Sequence, residues 1–183
     1  MRIPLIPHDP ALEHHQTRQF RQILQAFGYP ARILQLDGEA MPAVLYCLCD
    51  ADSPVALEGS WLNLAATLAA RHVPLVGREN AAYIAADRAA FDWADLPQGN
   101  ALAPETGATL LLEARDLSSK TGEARLCATG AGIKDQAVLH LDADTAKTLS
   151  QRPAYAYPCG VDLIVTCSTR LVALPRHLHW EIS

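Results

Sequence analysis

No stretch of this sequence approaches the ~20 consecutive apolar residues that cross a bilayer, although 50% of its residues are hydrophobic. A membrane span is therefore not expected. Positive charge is also in short supply, with 15 lysines and arginines against 20 aspartates and glutamates and a net charge of -5. Nucleic-acid binding draws its affinity from many cationic contacts that release counterions from phosphates, so this balance argues against it. Internal repeats, low-complexity tracts and long linkers are missing too, and the turn-forming residues recur at the short intervals found inside one unit. Residues 1–183 are read as a single domain, long enough to bury about 70% of the surface its unfolded form exposes.

Paired cysteines are lacking as well. Cys47, Cys49, Cys127, Cys159 and Cys167 are odd in number and lie mostly in apolar stretches, where a reduced thiol behaves as a small hydrophobe. The opening Met1-Arg2-Ile3-Pro4-Leu5-Ile6-Pro7 is interrupted by prolines and has no continuous apolar core of a signal peptide, so a cytoplasmic location is expected. Of the cations, 12 are arginine and only 3 are lysine. A guanidinium suits bidentate contact with phosphate or carboxylate, but no cluster of arginines in the sequence singles out an anion site.

Asp9-Pro10 has the form of a helix start, and Phe20, Ile23, Leu24 and Phe27 recur at helical spacing up to Gly28 and Pro30. Ala31 to Leu36 reads as a strand, Ala43 to Cys49 as a short apolar helix and Asp50 to Pro54 as a turn into a strand at Val55 to Leu57. Ser60 can cap a helix running to Arg71, with Trp61, Leu64, Ala65 and Leu68 on one face. Pro74 to Val76, Ala82 to Ala86, Thr109 to Glu113 and Arg125 to Thr129 read as extended, and Asp142 to Gln151 as a capped helix. Val161 to Cys167 and Leu171 to Leu174, separated by three residues, predict an antiparallel hairpin on an otherwise mixed sheet. This succession predicts a layered α/β fold.

Several constellations could carry chemistry. Thr129-Gly130-Ala131-Gly132-Ile133-Lys134 follows a predicted strand, but its spacing matches neither a phosphate-binding P-loop nor a dinucleotide fingerprint, which leaves a tight turn at positive φ as the favoured reading. His177 and His179, two apart on an extended segment, would share a face and could begin a metal site completed by His140, Asp162 or a cysteine. Cys47 and Cys49 are too close for a zinc knuckle and read as core. Ser60 lacks the trailing glycine of a nucleophile elbow. Glu105, Glu113 and Asp162 are spread over different elements. Asp162 is an acid at the mouth of an apolar strand, where desolvation raises a pKa unless a cation compensates, and Arg176 is the candidate cation.

The C-terminal stretch Tyr157-Pro158-Cys159-Gly160-Val161-Asp162-Leu163-Ile164 with Leu174-Pro175-Arg176 resembles the end of the H subunit of the bacterial carbon-phosphorus lyase core complex. Thr129 to Ile133 fits that family's glycine turn, Leu102 to Leu110 its central segment, and Phe20 to Leu24 its first helix, all in the same order. Ala31 stands where the family usually has glycine after Pro30. The resemblance implies a three-layer α/β/α domain with a mixed sheet, similar to a reduced pyridoxal-phosphate-dependent transferase without the cofactor. Lys120, Lys134 and Lys147 agree with that loss, since none has a context suited to a Schiff base. It further implies a homodimer, joined to the G, I and J subunits, that helps form α-D-ribose 1-methylphosphonate 5-triphosphate from ATP and methylphosphonate. No catalytic residue is carried over. If a ligand touches this subunit, Gly130, Gly132, Glu105, Asp162 and Arg176 are the matched positions at which it would be sought.

Overall fold

The computed structural model describes residues 10–87 and 91–183. Asp9, the expected cap of the first helix, lies outside the described residues, as do Met1 to Pro7. Helix α1 spans Pro10–Gly28 and stops where Pro30 can supply no backbone donor. Its buried face is Gln19, Ile23 and Ala26, turned toward the C-terminal hairpin and the next helix. Of the expected stripe, Ile23 is buried and Phe27 half-buried, whereas Phe20 and Leu24 are 41% and 52% exposed.

The strand expected over 31–36 is reduced to β1, Leu34–Gln35. Ala31 sits at φ +59, in the left-handed region where the resemblance led one to expect glycine, and that bend keeps the chain from extending earlier. Helix α2, Ala40–Leu48, buries Met41, Val44 and Leu45, and β2 is Val55–Leu57. The long helix expected from Ser60 to Arg71 is instead a 3-10 segment at Gly59–Leu64 followed by the short α3, Ala65–Ala70. Ser60 does not cap it: its N–H and hydroxyl both donate to Asp87, at 2.9 and 2.6 Å. There follow β3 (Tyr83–Asp87), β4 (Thr109–Glu113), β5 (Leu117–Ser118), β6 (Ala124–Thr129), β7 (Ala137–Leu141), α4 (Ala143–Ser150), β8 (Asp162–Cys167), β9 (Arg170–Leu174) and β10 (His179–Ile182).

Six strands form a mixed sheet in the order β1-β9-β8-β4-β3-β2. β2, β3, β4 and β8 run parallel, and the predicted β8–β9 hairpin is antiparallel. Alternation along these strands sends Ala85, Leu111, Ile164 and Ala173 to one face, under α1, α2 and Leu68 of α3. Ile84, Leu110, Leu112, Leu163 and Val165 point to the other face. The fold is mixed α/β with a mixed sheet, as expected, but its second covering layer is not made of helices alone. That face shares its core with Leu126, Leu139 and Leu141 of a separate antiparallel sheet, β10-β6-β7-β5, and with Ala146 and Leu149 of α4. No helix among the described residues is long and apolar enough to cross a membrane.

Asp142 joins the two layers. Its Oδ1 accepts the Thr145 N–H at 3.0 Å, and its Oδ2 accepts the Thr145 hydroxyl at 2.8 Å and the N–H groups of Arg115 and Asp116 at 2.8 and 3.2 Å. Burial pushes its pKa up, but these bonds to the ionised form outweigh it and hold the carboxyl below its ordinary value. Losing an N-cap costs about 1 kcal/mol, and orphaning buried donors about 1–3 kcal/mol more. Asp142→Ala is expected to lower the unfolding free energy in urea by about 2–4 kcal/mol at pH 7. Because the folded pKa is depressed, the charge-dependent part is full at neutral pH. It is lost as pH falls through the ordinary aspartate range, about 4, toward the lower folded value, so wild type and Asp142→Asn converge in acid.

Candidate functional site

The residues singled out near the C-terminus gather at the amino ends of the parallel strands. Asp162 opens β8, and Arg176 follows β9 by two residues. The Arg176 N–H donates to Asp162 Oδ1 at 2.7 Å, while its Nε and Nη2 both reach Oδ2, at 3.0 and 2.6 Å. Nη1 donates to the carbonyl of Pro104 and Nη2 also to that of Gly107. The pair is largely sheltered, with side chains 15% and 20% exposed. Arg176 is thus the cation that Asp162 requires, and it ties together β8, β9 and the loop before β4. A Cβ on Gly107 would lie 2.4 Å from Gly160 O and 2.6 Å from Arg176 Nη1, so only glycine lets that loop approach the guanidinium.

Glu105 is exposed and lines an open cavity of 600 Å³ together with Ala131, Tyr157, Pro158, Arg176 and His177. The two glycines of the turn face protein. Gly130 and Gly132 sit at φ +140 and +85, and a Cβ there would meet Leu178 at 2.8 Å and Pro30 at 2.7 Å. The favoured reading as a positive-φ turn accounts for both. The structure therefore brings Glu105, Asp162 and Arg176 close, while Gly130 and Gly132 shape the neighbouring turn by packing.

The two histidines part company. Pro175 to Leu178 makes a turn closed by the Leu178 N–H on Pro175 O at 3.0 Å, so the segment is not extended where the shared face required it. His177 lines the 600 Å³ cavity and lies 3.2 Å from Ala131 O, whereas His179 lines a different cavity. Among the described residues no group of three His, Cys, Asp or Glu side chains is placed to hold a metal. All five cysteines are free, and Cys49 and Cys167 are buried. Burial, with Asp50 beside it, pushes the Cys49 thiol up to about 12.

The carboxyl ends of the parallel strands, where open α/β sheets usually hold ligands, carry a second constellation. Asp87 ends β3 and Glu113 ends β4, opposite each other in register, and Glu113 pairs with Thr166 of β8. Arg78 binds Glu58 through two bonds of 2.8 and 2.6 Å. Trp61, Glu113, Arg115 and Thr166 line a cavity of 370 Å³, and the Trp61 Nε1 and Thr166 Oγ1 are buried without a hydrogen-bond partner. Sequence reasoning noted Glu113 but missed Asp87, Arg78 and Thr166. Asp87 and Thr166 carry one sequence signal, a place at or next to a strand's carboxyl end, which gains meaning only once the parallel register is known, and Arg78, in a 3-10 turn before β3, carries none.

The model of the family "Bacterial phosphonate metabolism protein (PhnH)" matches residues 9–181. The chain belongs to the PhnH family. The match runs from α1 into β10 and takes in the Asp162–Arg176 pair, the glycine turn and both sheets. A relative with curated information is "Putative C-P lyase subunit protein HtxG" of Stutzerimonas stutzeri, 32% identical over 169 residues, covering 90% of this chain and 85% of that protein.

Two outcomes follow for this PhnH-family chain. Asp162→Ala strands a sheltered guanidinium and is expected to cost about 3 kcal/mol of stability, since breaking one side of a buried pair leaves an uncompensated charge. Urea denaturation of the single and double variants with Arg176→Ala should then show strong coupling between the two positions. At pH 8, iodoacetamide should leave Cys49 unmodified in the native protein and label it after unfolding, as read by peptide mass spectrometry.

Proposed function

We propose that this chain is an accessory subunit of a carbon-phosphorus lyase assembly in alkylphosphonate catabolism, working beside the G, I and J subunits. In this reading it supports formation of α-D-ribose 1-methylphosphonate 5-triphosphate from ATP and methylphosphonate, without supplying a catalytic residue of its own. The observation that carries it is the PhnH match over residues 9–181. The 32% identity to a protein described as a C-P lyase subunit adds to it. The scaffold would be that of a pyridoxal-phosphate transferase that no longer holds its cofactor. Consistent with that, Lys120, Lys134 and Lys147 are all exposed, which gives a Schiff base no sheltered amine.

We further place the subunit in the cytoplasm as a homodimer. The exposed apolar side of α1, with Phe20 and Leu24, and the exposed Leu102 and Tyr157 are surfaces that assembly would cover. The test is co-expression of this chain with the G, I and J subunits from the same genome, followed by affinity capture and native mass spectrometry. A stable complex containing all four is expected. A chain recovered free of all three partners at low salt would overturn the reading.

A further inference from the structure

Arg152 follows α4 and is half-buried, with no ion-pair partner among the described residues. Its guanidinium carbon lies 4.2 Å from the centre of the Trp180 ring and 5.7 Å from that of Tyr155. Nη2 donates to the carbonyl of Arg176 at 2.8 Å and Nη1 to that of Leu178 at 3.4 Å, and neither acceptor carries a charge. The carboxylate whose field reaches Arg152 is Asp162, and both of its oxygens are already engaged by Arg176. Among the described residues two guanidinium groups thus share a single carboxylate, which leaves a local excess of positive charge on a chain whose net charge is -5.

That excess borders a cavity of 410 Å³ whose wall, among the described residues, includes Ser150, Arg152, Tyr155, Arg176, His179 and Trp180 and no aspartate or glutamate. Two polar atoms that belong to these lining residues are also unused. The Arg152 Nε and the Tyr155 hydroxyl are buried and lack a hydrogen-bond partner, an arrangement that folded proteins avoid unless something else satisfies the groups. Cations without carboxylates, unmade donors and a flat aromatic wall together describe the binding of an anion rather than of a metal or an amine.

We propose that this cavity is an oxyanion site that takes a phosphate or phosphonate group, with Arg152 as its charged anchor and Tyr155 and His179 as flanking donors. A guanidinium fork matches a tetrahedral oxyanion better than a spherical halide. The volume leaves room beyond the anion for a substituent lying against Trp180. The site rests on charge and geometry alone, so it stands or falls separately from membership of a lyase assembly.

Isothermal titration of the full purified chain with inorganic phosphate, methylphosphonate and phenyl phosphate, against acetate at equal ionic strength, tests it. One saturable event per chain is expected for a tetrahedral oxyanion. Acetate and the Arg152→Gln variant should each bind about tenfold more weakly or worse, and Tyr155→Phe about threefold more weakly. Tighter binding of phenyl phosphate than of phosphate assigns the site to a substituted ligand, and the reverse assigns it to the free ion. No saturable heat with any of the three, or equal affinity in wild type and Arg152→Gln, overturns the proposal. If circular dichroism shows that Arg152→Gln does not fold, Tyr155→Phe and His179→Ala decide, and unchanged affinity in both overturns it.

Discussion

The ion pair between Asp162 and Arg176 is the constraint around which the amino edge of the large sheet is arranged. Parallel strands need long connections, and each must return to start the next strand in register. Arg176 solves this at one point by holding the first residue of β8, the end of β9 and the carbonyls of Pro104 and Gly107 ahead of β4. An ion pair so sheltered is not simply a source of stability, because desolvating both charges offsets much of their attraction. Its effect is positional. The loop of residues 98–107 and the turn at Pro175–Leu178 are fixed relative to each other by a group whose five donors have a rigid geometry.

The same pair explains why charge is left over nearby. By engaging both oxygens of Asp162, Arg176 leaves Arg152 without a carboxylate partner among the described residues, and the cavity beside Trp180 inherits the imbalance. At the opposite, carboxyl edge the situation differs. There Asp87 is consumed by Ser60 and Glu58 by Arg78, while Trp61 and Thr166 keep unused polar atoms next to Glu113. The two ends of the sheet therefore present different chemistry: an unpaired guanidinium against aromatic rings at one, and acids engaged by arginines or hydroxyls beside unused neutral donors at the other.

Much of the fold was legible because local signals agreed with it. Thr109–Glu113 and Val55–Leu57 are apolar runs bounded by turn residues, and both fall where expected. Asp142 is both a capping residue and the cap. What was not legible is what depends on partners distant in sequence. β7 and β10 have half-buried patterns that acquire strand character by pairing with β6. Ser60 reads locally as a cap, but a carboxylate 27 residues away takes its hydroxyl. The first helix shows one apolar stripe at helical spacing, and only the packing of α2 and β9 decides that Ile23 goes in while Leu24 stays out. At the site, the Asp162–Arg176 pairing was readable from charge and burial, whereas the role of Arg152 was not, because its isolation follows from what another arginine does.

The edges of the large sheet are very short. β1 has two residues and β2 three, and the outer side of β2 is already engaged by Pro74 and Val76. An edge of that length gives an incoming chain almost no main-chain ladder to copy. The large sheet is thereby protected from growing sideways into aggregates, and any lasting association along it must be written in side chains rather than in backbone pairing.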